Sequence, residues 1–327
     1  MLLLPTLMAS EAGCMPARVP TSTLGGPDDS FYIAKTVFEE AVRFVFVAGL
    51  EGTGHHALEQ FWNRTGKARA FSTRSRKNQD ALDEAFFLRP PGASGKDEDE
   101  DKGKSQTKEY STIASARERV KTAMRGWHND LVGTGPGASM DSALVLMNTM
   151  RFDGGKMMSY PTGGGEKKCL QIPDIRELAK LAEEAGVDFR VIVLSRDYED
   201  ISRSVTKRRF GTSSVVETED LTVAAAMLAS QVQLIDPAFV MCVRYTNLGN
   251  LGWWRKPFNG AVSGKVVTHA QWLLNDARWI NRAVKAVRPP KNVSWPDAHE
   301  WGVGKPHMQQ FGAAASLVDR VARCSEG

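Results

Sequence analysis

Residues 44–62 read FVFVAGLEGTGHHALEQFW, and the fold turns on how this stretch is parsed. Phe44 to Ala48 are apolar, with Val and Phe dominant, the composition of a strand buried on both faces. The run stops at Gly49, and Gly52 and Gly54 follow within five residues. A helix-like stretch then opens on His55 and His56 and extends to Gly66. Strand, glycine-rich turn and helix N-terminus together make an anion site. Backbone N–H groups converge there, and the helix dipole adds about half a positive charge. Gly49 and Gly54 stand at the G-x-x-x-x-G spacing of a phosphate-binding loop. A nucleoside triphosphatase would continue with Lys, to grip the β- and γ-phosphates, and then Ser or Thr, to hold magnesium. This chain places His55 and His56 there, and it offers no convincing strand ending in Asp to complete a metal site. A nucleotide monophosphate or a sulfated nucleotide, bound without metal, fits such a loop better than Mg-ATP.

Working outward, strands and helices alternate. SALVLMNTM (142–150), DFRVIVLSR (188–196) and AFVMCVRY (238–245) read as further strands. PDIRELAKLAEEAG is a helix opened by Pro173 and closed by Gly186, with Ile175, Leu178, Leu181 and Ala182 on one face. LTVAAAMLASQVQLI and HAQWLLNDARWINRAVKAV read as two more helices. The alternation predicts an α/β fold of three layers, α/β/α, with a mostly parallel sheet. Residues 1–35 read as a loose tail, 36–265 as the α/β domain and 266–327 as a helical extension. Within the domain, residues 89–109, RPPGASGKDEDEDKGKSQTKE, are Gly, Pro, Ser and charge, too polar to offset their ordering entropy, and read as disordered. The Pro- and Trp-rich end beyond the last helix carries no pattern that places it.

Composition narrows the partners. The 327 residues are 42% hydrophobic and 24% charged, with a net charge of +4. That balance favours an anionic small ligand, and no Lys/Arg block interleaved with aromatics argues for nucleic acid. No stretch reaches the roughly 18 apolar residues of a membrane helix, so the chain reads as soluble, with cytoplasm and secretory-pathway lumen both open. Cys14, Cys169, Cys242 and Cys324 are scattered with no C-x-x-C pair and no zinc-ligand spacing, and read as free thiols. No metal site is expected, and oligomeric state is not legible.

VIVLSRDYEDISRSVTKRR (191–209) sits at a strand's C-terminal end, where ligands collect in open α/β sheets. Arg196 can fork two N–H bonds onto a phosphate, and Ser204 can add a hydroxyl. The plainer alternative is an ion network of Arg196 with Asp197, Glu199 or Asp200.

Together the two stretches resemble the PAPS-dependent sulfotransferases. In that family a strand-turn-helix loop holds the 5′-phosphosulfate of 3′-phosphoadenosine 5′-phosphosulfate (PAPS). A later strand ends in Arg with a Ser eight positions on, and those two bind the 3′-phosphate. VLSRDYEDISRS is similar to the family segment R-(D/N)-P-x-D-x-x-x-S, and VRYTNLGNL (243–251) is similar to R-Y-E-D-L, with Tyr245 matching and Thr246 and Asn247 departing. GLEGTGHH looks like a G-(L/M)-E-G-(S/T)-G-H-H loop of sulfotransferase-like proteins, with SYPTGG (159–164) a further family-like segment. The likeness spans roughly residues 42–251. It implies a P-loop nucleoside triphosphate hydrolase-like fold, PAPS as co-substrate, and binding by Gly49, Gly52, Thr53, Gly54, His55, Arg196 and Ser204.

One position departs. The family loop carries Lys or Arg before its Ser/Thr-Gly, and this chain has Gly52 there. His55, His56 or Lys156 could replace that charge. Sulfuryl transfer leans on positioning and on neutralising the leaving phosphate, with a general base for the acceptor hydroxyl or amine. His55, His56 and Glu51 are the candidate catalytic residues. Adjacent residues on a helix point about 100° apart, so one histidine faces the nucleotide. The acceptor, whether small molecule, carbohydrate or protein, leaves no signature. Two other readings stay open: a different P-loop phosphotransferase, such as a small-molecule kinase, and a catalytically inactive nucleotide-binding protein.

Overall fold

The computed structural model describes residues 43–50, 52–55, 57–58, 61, 68–70, 118, 121–122, 125, 144–147, 162–163, 170–171, 175–208, 214–262, 265–273, 280–287 and 305–324. The glycine-rich stretch begins where expected: β1 (Arg43–Gly49) is a strand whose residues from Phe44 onward are buried. It lies at the middle of a five-stranded sheet with β2 (Ala68–Ala70), β3 (Leu144–Met147), β6 (Asp188–Ser195) and β7 (Val240–Arg244), in the order β2-β3-β1-β6-β7. Every pairing in this sheet is parallel. Two short antiparallel pairs stand apart: β4 (Thr162–Gly163) with β5 (Leu170–Gln171), and β8 (Pro257–Val262) with β9 (Lys265–Thr268).

Side chains alternate across β1 with the strand period of two, and each face builds its own core. Phe44, Phe46 and Ala48 pack with α1 (Ile175–Glu184), α2 (Tyr198–Arg208), α3 (Ser214–Val232) and α7 (Lys305–Val321). Val45 and Val47 pack with Leu58 and Phe61, and with α4 (Leu251–Trp254), α5 (His269–Leu273) and α6 (Ile280–Ala286). The sheet is therefore covered by helices on both faces, as the α/β reading expects.

α1 follows its sequence closely. Ile175, Leu178, Leu181 and Ala182 are buried. The Gln231 side chain of α3 accepts the Ile175 N–H at 2.6 Å, and Gly186 closes the helix at φ +73°. Of the long helix read over 269–287, the described residues form α5 and α6. β2 had no counterpart in the sequence reading. The insertion 89–109 and the tail 1–35 lie outside the described residues.

The cysteine reading needs correction. Cys242 and Cys324 are not free thiols; they form a disulfide with Cα atoms 4.9 Å apart. Eighty-two positions separate them. No local spacing announces such a pair, because the fold alone brings α7's end to β7. Cys14 and Cys169 lie outside the described residues. The end of the chain that resisted placement holds α7, with Phe311, Val318, Ala322 and Cys324 in the core beneath the sheet.

At the opposite end of the sheet from the glycine loop, Arg43, Asp188 and Arg190 form a buried charge cluster. Asp188 accepts from Arg43 Nε at 2.8 Å and lies 3.0 Å from Arg190 Nη2. Burial alone would push the Asp188 carboxyl up; the two guanidinium charges outweigh it and hold the group below its usual range. Burial, then the Arg43 charge, draws Arg190 down to about 10. Both arginines also donate to the Trp272 carbonyl, and Arg43 to the Leu273 carbonyl, so the cluster ties β1 and β6 to the end of α5.

No helix among the described residues is long and apolar enough to cross a membrane.

Candidate functional site

β1 and β6 are parallel neighbours in a register that sets Gly49 beside Leu194, so their following loops emerge side by side. The segments after them then diverge. Leu58 and Phe61, after β1, pack on one face of the sheet, while Ile201 and Val205 of α2, after β6, pack on the other. Neighbouring parallel strands whose connections leave to opposite faces open a crevice beyond their C-terminal ends. Gly52–His55 and Arg196–Ser204, the two stretches singled out in the sequence, flank this crevice.

The loop is held by its own atoms. The Thr53 hydroxyl donates to the Leu50 carbonyl at 2.7 Å, and the Thr53 N–H reaches the same oxygen at 3.1 Å. Gly54 O accepts from Ala57 N–H and Leu58 N–H, so the helix takes its first bonds from Gly54. Its leading N–H groups, beginning at His55, face back toward the loop, as at any helix start. Gly52 and Gly54 adopt φ +90° and +117°, conformations that residues with a Cβ rarely hold. Packing adds a second demand. A Cβ on Gly54 would strike the Tyr245 ring, and one on Gly52 would lie 3.1 Å from the Ile201 carbonyl and 3.3 Å from Ser204 Cβ. His55 is buried at 8% exposure, with its ring against Gly49. Glu51, His56 and Lys156 lie outside the described residues.

Arg196 joins the two stretches. Its Nη1 donates to the Gly52 carbonyl at 3.0 Å, and its guanidinium stacks 4.7 Å from the centre of the Tyr245 ring. Its Nε lies 3.5 Å from Asp200, so the ion-network alternative is realised in the same side chain. Ser204, two turns along α2, stands at the same corner of the loop, against Gly52. Loop glycine, arginine, serine and tyrosine thus meet around one crevice. Gly49, Gly52, Thr53, Gly54, His55, Arg196 and Ser204 are all brought together there.

Other residues fall elsewhere. Trp253 and Trp254 are core residues: Trp254 stacks on Phe61, Trp253 lies tilted against His269, and Tyr245 packs on the same cluster. Desolvation lowers the His269 pKa, against the raising effect of its bond to Lys256 O. A separate cleft along β7 is lined by Cys242, Asn247, Trp253, His269 and Cys324, among others, and shares no residue with the loop or α2.

Sequence reasoning missed α7's share of the site. Ser195, immediately before Arg196, donates its hydroxyl to Asp319 of α7 at 2.5 Å. Burial pushes the Asp319 carboxyl up, against the Ser195 hydrogen bond and the Arg244 charge. No sequence signal links positions 195 and 319.

No family model matches the chain, and no curated protein matches its sequence.

Proposed function

We propose that the chain is a sulfotransferase of P-loop-like fold that moves the sulfuryl group of PAPS to a hydroxyl or amine acceptor. The observation that carries this reading is the Arg196–Gly52 contact at the crevice, which joins the glycine loop to the Arg-x₇-Ser segment. A bisphosphorylated nucleotide needs two anion sites side by side. The loop's left-handed glycines and helix start suit the 5′ end, and the Arg196 fork with Ser204 suits the 3′-phosphate. The strand order β2-β3-β1-β6-β7, with the loop after the central strand, is compatible with the same reading.

In this reading PAPS binds without magnesium. Loop amides and the helix dipole stabilise negative charge on the leaving phosphate. Tyr245 orients Arg196. His55, packed against Gly49, shares the candidacy for general base with His56 and Glu51. The Gly52 departure favours one second reading: a nucleotide-binding protein that never turns over, because the loop cation is missing there.

The test is a thermal shift with 3′,5′-ADP, run beside ATP with and without magnesium. At 100 times its dissociation constant a ligand adds about 2.7 kcal/mol, a shift easily seen. Stabilisation by 3′,5′-ADP without metal is expected. Stabilisation by Mg-ATP alone would overturn the reading in favour of a phosphotransferase. Release of 3′,5′-ADP from PAPS then separates the enzyme from the inactive binder.

A further inference from the structure

α7 grips the turn that carries Arg196 from both sides. Before it, Ser195 is hydrogen-bonded to Asp319. After it, Tyr198 packs edge-on against Phe311, its ring in contact with Gly312. The far end of α7 is fastened by Cys324 to Cys242 of β7, three residues before Tyr245, the ring on which Arg196 stacks. Arg244 Nε donates to the Cys324 carbonyl at 3.2 Å, reinforcing that junction. Arg323 holds φ +56°, a conformation a non-glycine residue keeps only when its surroundings impose it. The strained residue lies directly before the cystine.

We propose that α7 is a clasp that positions Arg196 for the nucleotide's 3′-phosphate, and that the Cys242–Cys324 disulfide locks it, so that thiol–disulfide exchange regulates the anion site. Asp319 is a positioning residue, acting on Arg196 through Ser195. A dithiol supplies the two electrons: its thiolate attacks one cystine sulfur, forming a mixed disulfide as the S–S bond breaks and the other cysteine leaves. Its second thiol then displaces the remaining cysteine, closing the dithiol into its own cyclic disulfide and leaving both Cys242 and Cys324 as thiols. Cys242 is half-buried and lines the cleft along β7, which gives the reductant its approach. Once the bond is broken, Arg323 relaxes and α7's end loosens. The clasp as a regulator of nucleotide affinity rests on the sulfotransferase reading; the clasp as a mechanical device does not.

The experiment follows the full-length protein, oxidised and after dithiothreitol, by two readouts. Amide exchange needs no ligand: reduction is expected to speed exchange over both 305–324 and 195–204. Titration with 3′,5′-ADP and with 5′-AMP is expected to show about a tenfold loss for 3′,5′-ADP on reduction and little change for 5′-AMP, the scale of ordinary coupling between sites. The C242S/C324S double variant should bind like the reduced protein whatever the reductant. Asp319→Asn keeps an acceptor for Ser195 and should preserve the preference for 3′,5′-ADP, whereas Asp319→Ala should lose it. Unchanged exchange over 195–204 on reduction would overturn the clasp. Altered exchange with no 3′,5′-ADP binding in either state would sink the sulfotransferase reading and leave the clasp standing.

Discussion

Arg196 braces the Gly52 carbonyl and stacks on Tyr245, and in the proposed reading it is also the fork offered to a phosphate. Its identity and its eight-residue spacing to Ser204 were legible, because both lie on one strand-to-helix turn. Its contact with Gly52 was not, since 144 positions separate the two and only the register of β1 and β6 brings them together. Gly54 shows the same division. A tight loop was expected there, yet the collision that a side chain would suffer comes from Tyr245, far along the chain. Gly54→Ala should therefore destabilise the fold by about 1–3 kcal/mol, from the left-handed backbone alone, and lower Tm by several degrees. Gly249, with open space about it, is the control: Gly249→Ala should leave Tm nearly unchanged.

Among the elements, α1 was readable from end to end because its opening proline, its apolar stripe and its glycine stop all lie inside fourteen residues. β1, β6 and β7 were readable as apolar runs. β2 was not, since three residues, Ala68, Arg69 and Ala70, carry no period. α7 escaped for a different reason. Pro306 near its start is a legitimate opening signal, but Gly312, Ala313, Ala314 and Ala315 dilute the apolar stripe that Phe311 and Val318 anchor. The disulfide was illegible because its two halves belong to different elements. α7's place in the core is open to direct test. Phe311 is fully buried, so Phe311→Ala should cost about 3–5 kcal/mol, while Gln310→Ala on the exposed side should stay within about 0.5 kcal/mol. Equal, small effects in chemical denaturation would place α7 outside the core.

For the whole molecule, strand–helix alternation was enough to foresee a parallel sheet clad on both faces, and the sheet order then fixes where the crevice lies. The charge cluster at the other end of the sheet was invisible in sequence, since Arg43, Asp188 and Arg190 read as flanks of apolar runs. It sets an acid limb on stability. The Asp188 pKa is lower in the folded protein than its ordinary 3.8, so its contribution is complete above that value and is lost as pH falls through the folded one. Asp319 works in the opposite sense: its folded pKa is raised, so its contribution is present below 3.8 and is lost as pH rises through the folded value. Asp188→Asn should cost about 3–5 kcal/mol at neutral pH by stranding buried guanidinium charge, and should flatten the dependence of Tm on pH below 3.8. A variant with the same acid limb as the parent would show that the limb arises elsewhere.

The most direct measurement is calorimetric titration of 3′,5′-ADP and 5′-AMP into the parent protein and Arg196→Ala, without metal. If the fork binds the 3′-phosphate, the parent prefers 3′,5′-ADP by at least about tenfold, the scale of one charge-assisted contact, and Arg196→Ala binds the two nucleotides alike. If Arg196 serves only to brace Gly52, the substitution weakens both nucleotides by the same factor and the preference survives, which would contradict a nucleotide site built from these two stretches.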